Sequence, residues 1–320
     1  MLKLTNVTKK YGDFTLDCTL EVKPGTVTGF IGANGAGKTT TFKALLGLVA
    51  ADGGEIEIFG TRRKALTAED RRRMGTVLAE TGFSGELRIR QIARILKAMY
   101  PEFDEALFRE KAKELSLPED KQTKEFSTGM KAKLKVLCAI CHRAELLVLD
   151  EPTAGLDVLA RDQILDLLRA YIEEDENRSI LISSHISGDL EQLCDDFYMI
   201  HNGRILCHEE TDRLLSDYAV LKVSGEDYEA LDKSYLLRRQ KEAYGWRVLT
   251  DQKRYYAENC PGMVIERITM DEFIMMMLKG ETLRWNFAEP LPACSANSEI
   301  SRCRPNRLSL APELITFMAC

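Results

Sequence analysis

The feature that most constrains the fold is the glycine-rich segment at residues 32–40, GANGAGKTT. It follows TVTGFI, a β-branched and apolar run that predicts a buried strand, and it precedes FKALLGL, which predicts a helix. A strand, a loop of the form G-x-x-x-x-G-K-[ST] and a helix together make a phosphate-binding P-loop. A chance glycine-rich turn is the alternative, and the flanking strand and helix argue against it. The chain is therefore predicted to contain an α/β domain that binds a nucleotide.

Each residue type in this loop has a chemical role. The glycines let backbone N–H groups wrap around phosphate oxygens. Lys38 is predicted to reach the β- and γ-phosphates, and the Thr39 hydroxyl is predicted to contact Mg²⁺. The loop residues predicted to bind the nucleotide are Gly32, Asn34, Gly35, Ala36, Gly37, Lys38, Thr39 and Thr40.

A second segment, ELLVLDEP at residues 145–152, carries two acidic residues. Its stretch LLVL predicts a central parallel strand, and α/β sheets place ligands at the carboxyl ends of such strands. Asp150 stands at that end and is predicted to hold Mg²⁺, directly or through water. Glu151 follows it and is the candidate general base for hydrolysis. The two carboxylates are thus predicted to complete the nucleotide site.

A third segment, SILISSH at residues 179–185, predicts another buried strand that ends in a small polar turn. His185 stands at this strand end, so it is predicted to donate a hydrogen bond to the γ-phosphate. A lone histidine is often a surface or capping residue. That interpretation is kept for His142, His201 and His208.

Composition limits the remaining classes of protein. The chain has 320 residues, which suggests about two domains, and its formal net charge of −6 argues against broad nucleic-acid binding. No apolar run approaches the roughly 18 residues that a membrane helix needs. The N-terminal residues MLKLTNVTKK also lack the apolar centre of a signal segment. We therefore expect a cytosolic protein whose nine cysteines stay reduced.

The segments GANGAGKTT, FSTGM, LLVLDEPTAGLD and SSHIS, in this order and spacing, resemble the nucleotide-binding subunit of an ABC transporter. The chain is most similar to bacterial single-cassette drug- and antibiotic-export ATPases, over about residues 1–217. The resemblance implies an α/β P-loop NTPase cassette with a mainly parallel core sheet, an antiparallel β subdomain and a helical subdomain at about residues 86–130. It also implies an ATPase that uses ATP and Mg²⁺.

The resemblance further implies that two cassettes share each nucleotide. In that family two cassettes, identical or different, pair head to tail, so each P-loop faces the signature turn of the other. Ser127 and Gly129 of FSTGM would then contact the γ-phosphate of the partner's ATP, and Asp157 would cross the dimer interface. Tyr11 stands where the family has an aromatic residue that stacks on adenine. An ordinary hairpin residue is the alternative for Tyr11.

The chain departs from the family pattern in two places. FSTGM keeps the serine and second glycine of the commoner LSGGQ, but Met130 replaces its polar glutamine. The strand that starts at Met74 lacks the glutamine that in the family reaches metal and water. Ala79 takes that place in register, and Glu80 follows it. Two alternatives stay open: Glu80 contacts the metal instead, or the contact is absent.

Beyond residue 217 the pattern changes twice. Residues 218–280 alternate between strand-like and helix-like runs and predict a small α+β appendage. Thr269-Met270-Asp271-Glu272 predicts a capping box before the apolar helix FIMMMLKG. Residues 281–320 contain no lysine, four of the nine prolines and three of the nine cysteines, and they lose periodicity. This segment is predicted to be a disordered tail.

The sequence thus predicts an ATP-hydrolysing subunit that energises a separate membrane permease. By family resemblance we expect export and a peripheral position on the inner face of the cell membrane. The alternative is a soluble ABC-type ATPase that acts on ribosomes or DNA. Such proteins usually carry a second cassette or a long coiled-coil insertion, and neither is found in this sequence.

The haem-like motif Cys138-Ala139-Ile140-Cys141-His142 lies in an apolar helical run, which predicts core residues instead.

Overall fold

The structure is a computed structural model that describes residues 1–78 and 82–283. The strands of this part of the chain are β1 Leu2–Tyr11, β2 Phe14–Val22, β3 Val27–Ile31, β4 Gly53–Ile58, β5 Thr61–Arg62, β6 Met74–Val77, β7 Leu146–Asp150, β8 Ser179–Ser184, β9 Asp196–His201, β10 Arg204–Glu210, β11 Ala219–Val223, β12 Leu236–Glu242, β13 Gly245–Thr250, β14 Val264–Arg267 and β15 Glu281–Thr282.

The helices of the same residues are α1 Lys38–Leu46, α2 Ala68–Arg72, α3 Ile89–Met99, α4 Glu105–Glu114, α5 Thr128–Ile140, α6 Val158–Glu173, α7 Ser187–Leu193, α8 Thr211–Asp217, α9 Gly225–Ala230, α10 Lys253–Asn259 and α11 Met270–Lys279. Two short 3₁₀ turns cover Arg63–Ala65 and Thr123–Glu125. None of these helices has the length and apolar character needed to cross a membrane.

Within the described residues, the larger sheet runs in the order β5-β4-β1-β2-β10-β9-β3-β8-β7-β6. Strands β9, β3, β8, β7 and β6 pair in parallel and form its core half. Strands β2, β1, β4 and β5 pair antiparallel and form the other half. Strand β10 joins the halves, because it runs antiparallel to β9 and makes one parallel pairing with β2.

The central parallel strands are apolar because they are covered on both faces. Every residue of β3, β7 and β8 is buried. Ile31 of β3 pairs with Ser184 of β8, and Asp150 of β7 pairs with Ser183. Since parallel strands point the same way, their carboxyl ends lie at one edge of the sheet. The three loops that carry the predicted site residues therefore meet at that edge.

A group of helices, α3 to α5, lies between β6 and β7 in the chain, as the periodicity between residues 86 and 130 predicted. The apolar stripe of α3 is buried through Ile89, Ile92 and Leu96. Ser127 caps α5, because its hydroxyl accepts a hydrogen bond from the Met130 N–H at 3.2 Å. The signature turn therefore leads directly into a helix N-terminus.

The C-terminal residues form a second sheet in the order β14-β11-β13-β12-β15, again within the described part of the chain. Helix α8 ends at Asp217 and β11 begins at Ala219, next to the predicted domain boundary. The predicted capping box is present at the start of α11. Strand β15 pairs with β12, and the Leu283 N–H donates to the Leu237 carbonyl at 3.0 Å. Glu281 and Thr282, which the sequence analysis assigned to the tail, thus belong to this sheet, and residues 284–320 lie outside the described residues.

The C-terminal unit shares a hydrophobic core with the cassette. Phe273 of α11 is fully buried, and its ring meets the rings of Phe197 and Tyr218 edge-on at centroid distances of 5.9 and 5.6 Å. The Met270 N–H at the start of α11 donates to Glu191 of α7 at 2.5 Å. Helix α11 therefore docks on α7 and β9 of the cassette.

We predict that Phe273→Ala lowers the free energy of unfolding by about 3–5 kcal/mol, because it removes a buried ring and leaves a cavity in the shared core. Urea denaturation of the full chain measures the loss. Met275→Ala, on the same helix but 43% exposed, should change the free energy of unfolding by less than about 1 kcal/mol. Equal losses for the two variants would contradict this account of the core.

Candidate nucleotide-binding and catalytic site

The loop after β3 approaches its neighbours so closely that it depends on glycine. A Cβ added to Gly32 would lie 2.6 Å from the Ile200 carbonyl oxygen of β9. Gly37 lies just before α1 and has a φ of +118°, a value that residues other than glycine rarely adopt. The N-terminus of α1 is thus directed to the loop, where its free N–H groups and its dipole favour an anion.

Lys38 is buried at the start of α1, and its ammonium group is held on two sides. Its Nζ donates to the Gly32 carbonyl at 2.6 Å and lies 3.1 Å from Glu151 Oε1. A phosphate group that contacts this ammonium must therefore replace or share the ion pair with Glu151. This arrangement places the predicted phosphate lysine and the predicted general base in contact.

Asp150 is a buried carboxylate whose two oxygens are both bonded. Thr39 Oγ1 donates to Oδ2 at 2.7 Å, and Ser183 Oγ donates to Oδ1 at 2.6 Å. A hydroxyl and a carboxylate side by side fit Mg²⁺, which prefers oxygen ligands and usually completes its shell with water and substrate phosphates. Thr39 and Asp150 are the residues that would hold the ion, which would supply positive charge to the phosphates.

Glu151 adopts a backbone conformation that residues with a side chain rarely take, with a φ of +52°. Its N–H donates to the Ser183 hydroxyl at 2.9 Å and to the Ser183 carbonyl at 3.2 Å. These bonds hold the strained turn, and strain of this kind clusters at functional sites. The turn directs the Glu151 carboxylate toward Lys38 on one side and His185 on the other.

His185 follows β8 and contacts Glu151. Its Nδ1 lies 2.5 Å from Glu151 Oε2, and its backbone N–H donates to the same oxygen at 3.3 Å. Because a carboxylate accepts and does not donate, Nδ1 carries the proton in this contact. Nε2 can then donate to a phosphate only when the ring is protonated on both nitrogens. The structure thus brings His185, Glu151 and Lys38 into one chain of contacts.

These side chains surround a cavity of about 450 Å³. Residues of the P-loop line one side, and Glu151, Ala154 and His185 line the other. The full lining is Phe14, Ala33, Asn34, Gly35, Gly37, Lys38, Thr39, Thr40, Glu151, Ala154 and His185. Most of the P-loop residues predicted to bind the nucleotide therefore face one cavity together with both predicted catalytic residues.

The signature residues lie apart from this cavity. Ser127 and Gly129 are not among its lining residues, and neither is Asp157. They are close to one another instead, because a Cβ added to Gly129 would lie 3.2 Å from the Ala160 Cβ, three residues after Asp157. Asp157 caps α6 by accepting a hydrogen bond from the Ala160 N–H at 2.8 Å. The structure thus groups these three residues on a second surface.

The predicted roles of Tyr11 and Glu80 are not tested by the described structure. Tyr11 lies opposite Phe14 in the β1–β2 hairpin and is 48% exposed, but Phe14 and not Tyr11 lines the described cavity. The adenine contact of Tyr11 stays a prediction. Glu80 and Ala79 lie outside the described residues, so the metal contact of Glu80 also stays a prediction.

Sequence patterns did not point to Ser183 or to Phe14. Ser183 forms hydrogen bonds with both Asp150 and Glu151. Its position one residue before the end of β8, the strand beside β7, is the sequence feature that could have identified it. Phe14 lies opposite Tyr11 in a tight hairpin, and this position is the feature that could have marked it as a second aromatic candidate. The haem-like motif is core: Cys138, Cys141 and His142 are buried, and the two ring nitrogens of His142 face backbone carbonyls.

Comparisons with known proteins agree with this site. The family model for the ABC transporter matches residues 16–154. The bacitracin transport ATP-binding protein BcrA of Bacillus licheniformis is 38% identical over 210 residues, 64% of this chain and 68% of that protein. The lantibiotic transport ATP-binding protein SrtF of Streptococcus pyogenes is 31% identical over 215 residues, 66% of this chain and 92% of that protein.

A solved structure of an ATP binding subunit of an ABC transporter aligns with a TM-score of 0.59 at 29% identity, covering 67% of this chain and 91% of that chain. The chain therefore belongs to the ABC transporter family, as an ATP-binding subunit that hydrolyses ATP. The fold class and the family resemblance predicted from the sequence are confirmed, and the alternative of a soluble ABC-type ATPase outside transport is not favoured.

We predict that Lys38→Ala weakens ATP binding about 10- to 100-fold, because a charged hydrogen-bond donor to the phosphates is lost. Calorimetric titration of the full chain with ATP measures the dissociation constant. Lys3→Ala is the control, since Lys3 is an exposed lysine on β1. An unchanged dissociation constant for Lys38→Ala would show that the phosphates bind elsewhere.

Proposed function

We propose that the chain is the ATPase of an export system, and that it binds Mg²⁺-ATP and drives a separate membrane permease from the inner face of the membrane. Glu151 acts as the general base for the attacking water, and His185 donates to the γ-phosphate. Thr39 and Asp150 hold the Mg²⁺ ion. Contact between Glu151, His185 and Lys38 around one cavity is the observation that supports this assignment.

The position of the signature turn supports a dimer in which two chains share each ATP. Ser127 is exposed at the N-terminus of α5, where an anion is favoured, yet it lies apart from the cavity of its own chain. A second cassette can bring its own phosphates to this turn. Ser127 and Gly129 then contact the γ-phosphate that the partner's P-loop holds.

Exposed apolar side chains beside the signature turn support the same arrangement. Val158 and Leu159 are 76% and 68% exposed, and they directly follow Asp157 at the start of α6. Large apolar side chains exposed side by side favour burial against a partner. Ala160, the next residue of α6, lies beside Gly129, so Val158 and Leu159 start the helix that contacts the signature turn. This surface is the proposed contact between two cassettes.

Export is proposed from the relatives. BcrA and SrtF are named as transport ATP-binding proteins for bacitracin and a lantibiotic, and a further relative from Burkholderia orbicola is named as a Nod factor export ATP-binding protein. We propose a comparable export role and a permease encoded as a separate chain. ATP-dependent accumulation of bacitracin in inside-out vesicles that carry both subunits tests this role. Accumulation that persists without ATP would contradict it.

We predict that Glu151→Gln forms an ATP-dependent dimer, because the variant keeps the shape of the site and removes the general base. Light scattering of the full chain with and without Mg²⁺-ATP measures the mass. Adding Ser127→Arg should abolish the dimer, since a large side chain would fill the signature turn. Ser216→Arg, an exposed serine on α8, should leave the dimer intact. A protein that binds ATP but stays monomeric would overturn the homodimer.

We also predict that Leu159→Glu in the Glu151→Gln background weakens ATP-dependent dimerisation about tenfold or more, because it places a charge in an apolar contact. Analytical ultracentrifugation across a concentration series gives the dimer dissociation constant. Leu215→Glu is the matched control, an exposed leucine on α8 that lies outside the proposed surface. Similar dimer constants for both variants would rule out the proposed surface.

A further inference from the structure

A buried polar cluster lies behind the catalytic residues and has no role in the proposals above. The carboxylate of Asp189 on α7 is 1% exposed. Thr153 Oγ1, also buried, donates to Asp189 Oδ2 at 2.7 Å. Arg161 Nε of α6 lies 3.0 Å from Asp189 Oδ1. Asp189 thus joins the loop after β7 to helices α6 and α7.

Each member of this cluster follows a functional residue closely in the chain. Thr153 is two residues after Glu151. Arg161 is four residues after Asp157, and Asp189 is four residues after His185. One buried carboxylate is therefore shared by the turns that carry the general base, the interface aspartate and the phosphate histidine.

Backbone hydrogen bonds connect the cluster to these turns. The Ala154 N–H donates to the Glu151 carbonyl at 3.2 Å, which closes a tight turn around Thr153. The Asp189 N–H donates to the carbonyl of Ile186 at 3.2 Å, and Ile186 is the residue that follows His185. With such short connections, a shift of Thr153 or Asp189 moves Glu151 or His185 as well.

The cluster depends on the negative charge of Asp189 and on the hydroxyl group of Thr153. A buried carboxylate is stable only when it is paired and hydrogen-bonded, so Asp189 holds Thr153 and Arg161 in fixed places. In Asp189→Asn one acceptor oxygen becomes an amide NH2, so the side chain can no longer accept from both Thr153 and Arg161. Thr153→Val removes only the link to the turn of Glu151 and leaves the pair of Asp189 with Arg161.

We propose that Asp189 is a positioning residue for ATP hydrolysis, which sets the distance between Glu151 and His185 through Thr153 and α7. This inference rests on the proposed roles of Glu151 and His185. The Asp189 carboxylate contacts Thr153 and Arg161, and neither of these residues lines the cavity. Its loss should therefore affect turnover and leave nucleotide affinity intact.

The first test compares kcat and ATP affinity in the full chain. Asp189→Asn should lower kcat about 10- to 100-fold, and Thr153→Val should lower it less, because small displacements of catalytic groups cost that much. The dissociation constant for ATP should stay within about twofold for both. The double variant should be slowed by less than the product of the two single effects, since both changes act on the contact between Thr153 and Asp189.

Thr28→Val is the matched control. Thr28 is a buried threonine on β3 whose hydroxyl has no hydrogen-bond partner among the described residues, and valine has nearly the same shape. This variant should keep both kcat and ATP affinity. Thermal unfolding of all variants separates a local displacement from a general loss of stability.

A second readout does not require turnover. The chain has four histidines, so the ring resonances of His185 can be assigned by comparison with His185→Ala in ¹H–¹³C spectra. Both Asp189→Asn and Thr153→Val should shift or broaden the His185 resonances, because the contact with Glu151 is no longer held. Thr28→Val should leave these resonances in place.

Two outcomes would overturn the inference: wild-type kcat together with unchanged His185 resonances in Asp189→Asn, or a parallel loss of ATP affinity and kcat. Failure of the proposed function looks different. In that case Glu151→Gln would hydrolyse ATP as fast as the wild-type chain, whatever the cluster variants do.

Discussion

The buried carboxylate of Asp150 is the interaction on which the rest of the site depends. A carboxylate inside a protein needs hydrogen-bond donors, and this one receives them from Thr39 on α1 and Ser183 on β8. It therefore ties the P-loop helix, β7 and β8 together at the edge where the parallel strands end. Ser183 then also supports the strained turn at Glu151. The residues proposed to hold the metal, to bind the phosphates and to act as general base share this one support.

The same helices that carry the chemistry also connect it to the rest of the molecule. Helix α7 follows His185, bonds to the loop after β7 through Asp189, and accepts the Met270 N–H through Glu191. Phe273 of the C-terminal unit packs beside it against Phe197. The C-terminal unit is therefore in direct contact with the helix that follows His185, the proposed phosphate ligand. Val158 and Leu159 are exposed after Asp157, on the surface proposed to contact a second cassette.

Much of the fold and site could be predicted because the decisive signals are local. A P-loop is one continuous segment. The eight residues ELLVLDEP likewise contain both a buried strand and the acidic pair at its carboxyl end. The cap at Ser127 and the capping box at Thr269 also depend on neighbouring residues only. The tail boundary was placed too early, because the pairing of Glu281 with Arg239 of β12 joins residues more than forty positions apart and leaves no local pattern.

The sequence by itself determined the class of the protein, the phosphate loop, the acidic strand end and the histidine, since each is set by residue type and spacing along the chain. Only the tertiary structure decided which groups touch. The contacts of Lys38 with Glu151, of Ser183 with Asp150, and of Asp189 with Thr153 and Arg161 join segments that are far apart in sequence. Such contacts depend on the register of parallel strands and on how helices pack over them, because a buried charge takes whichever partners the fold brings within reach.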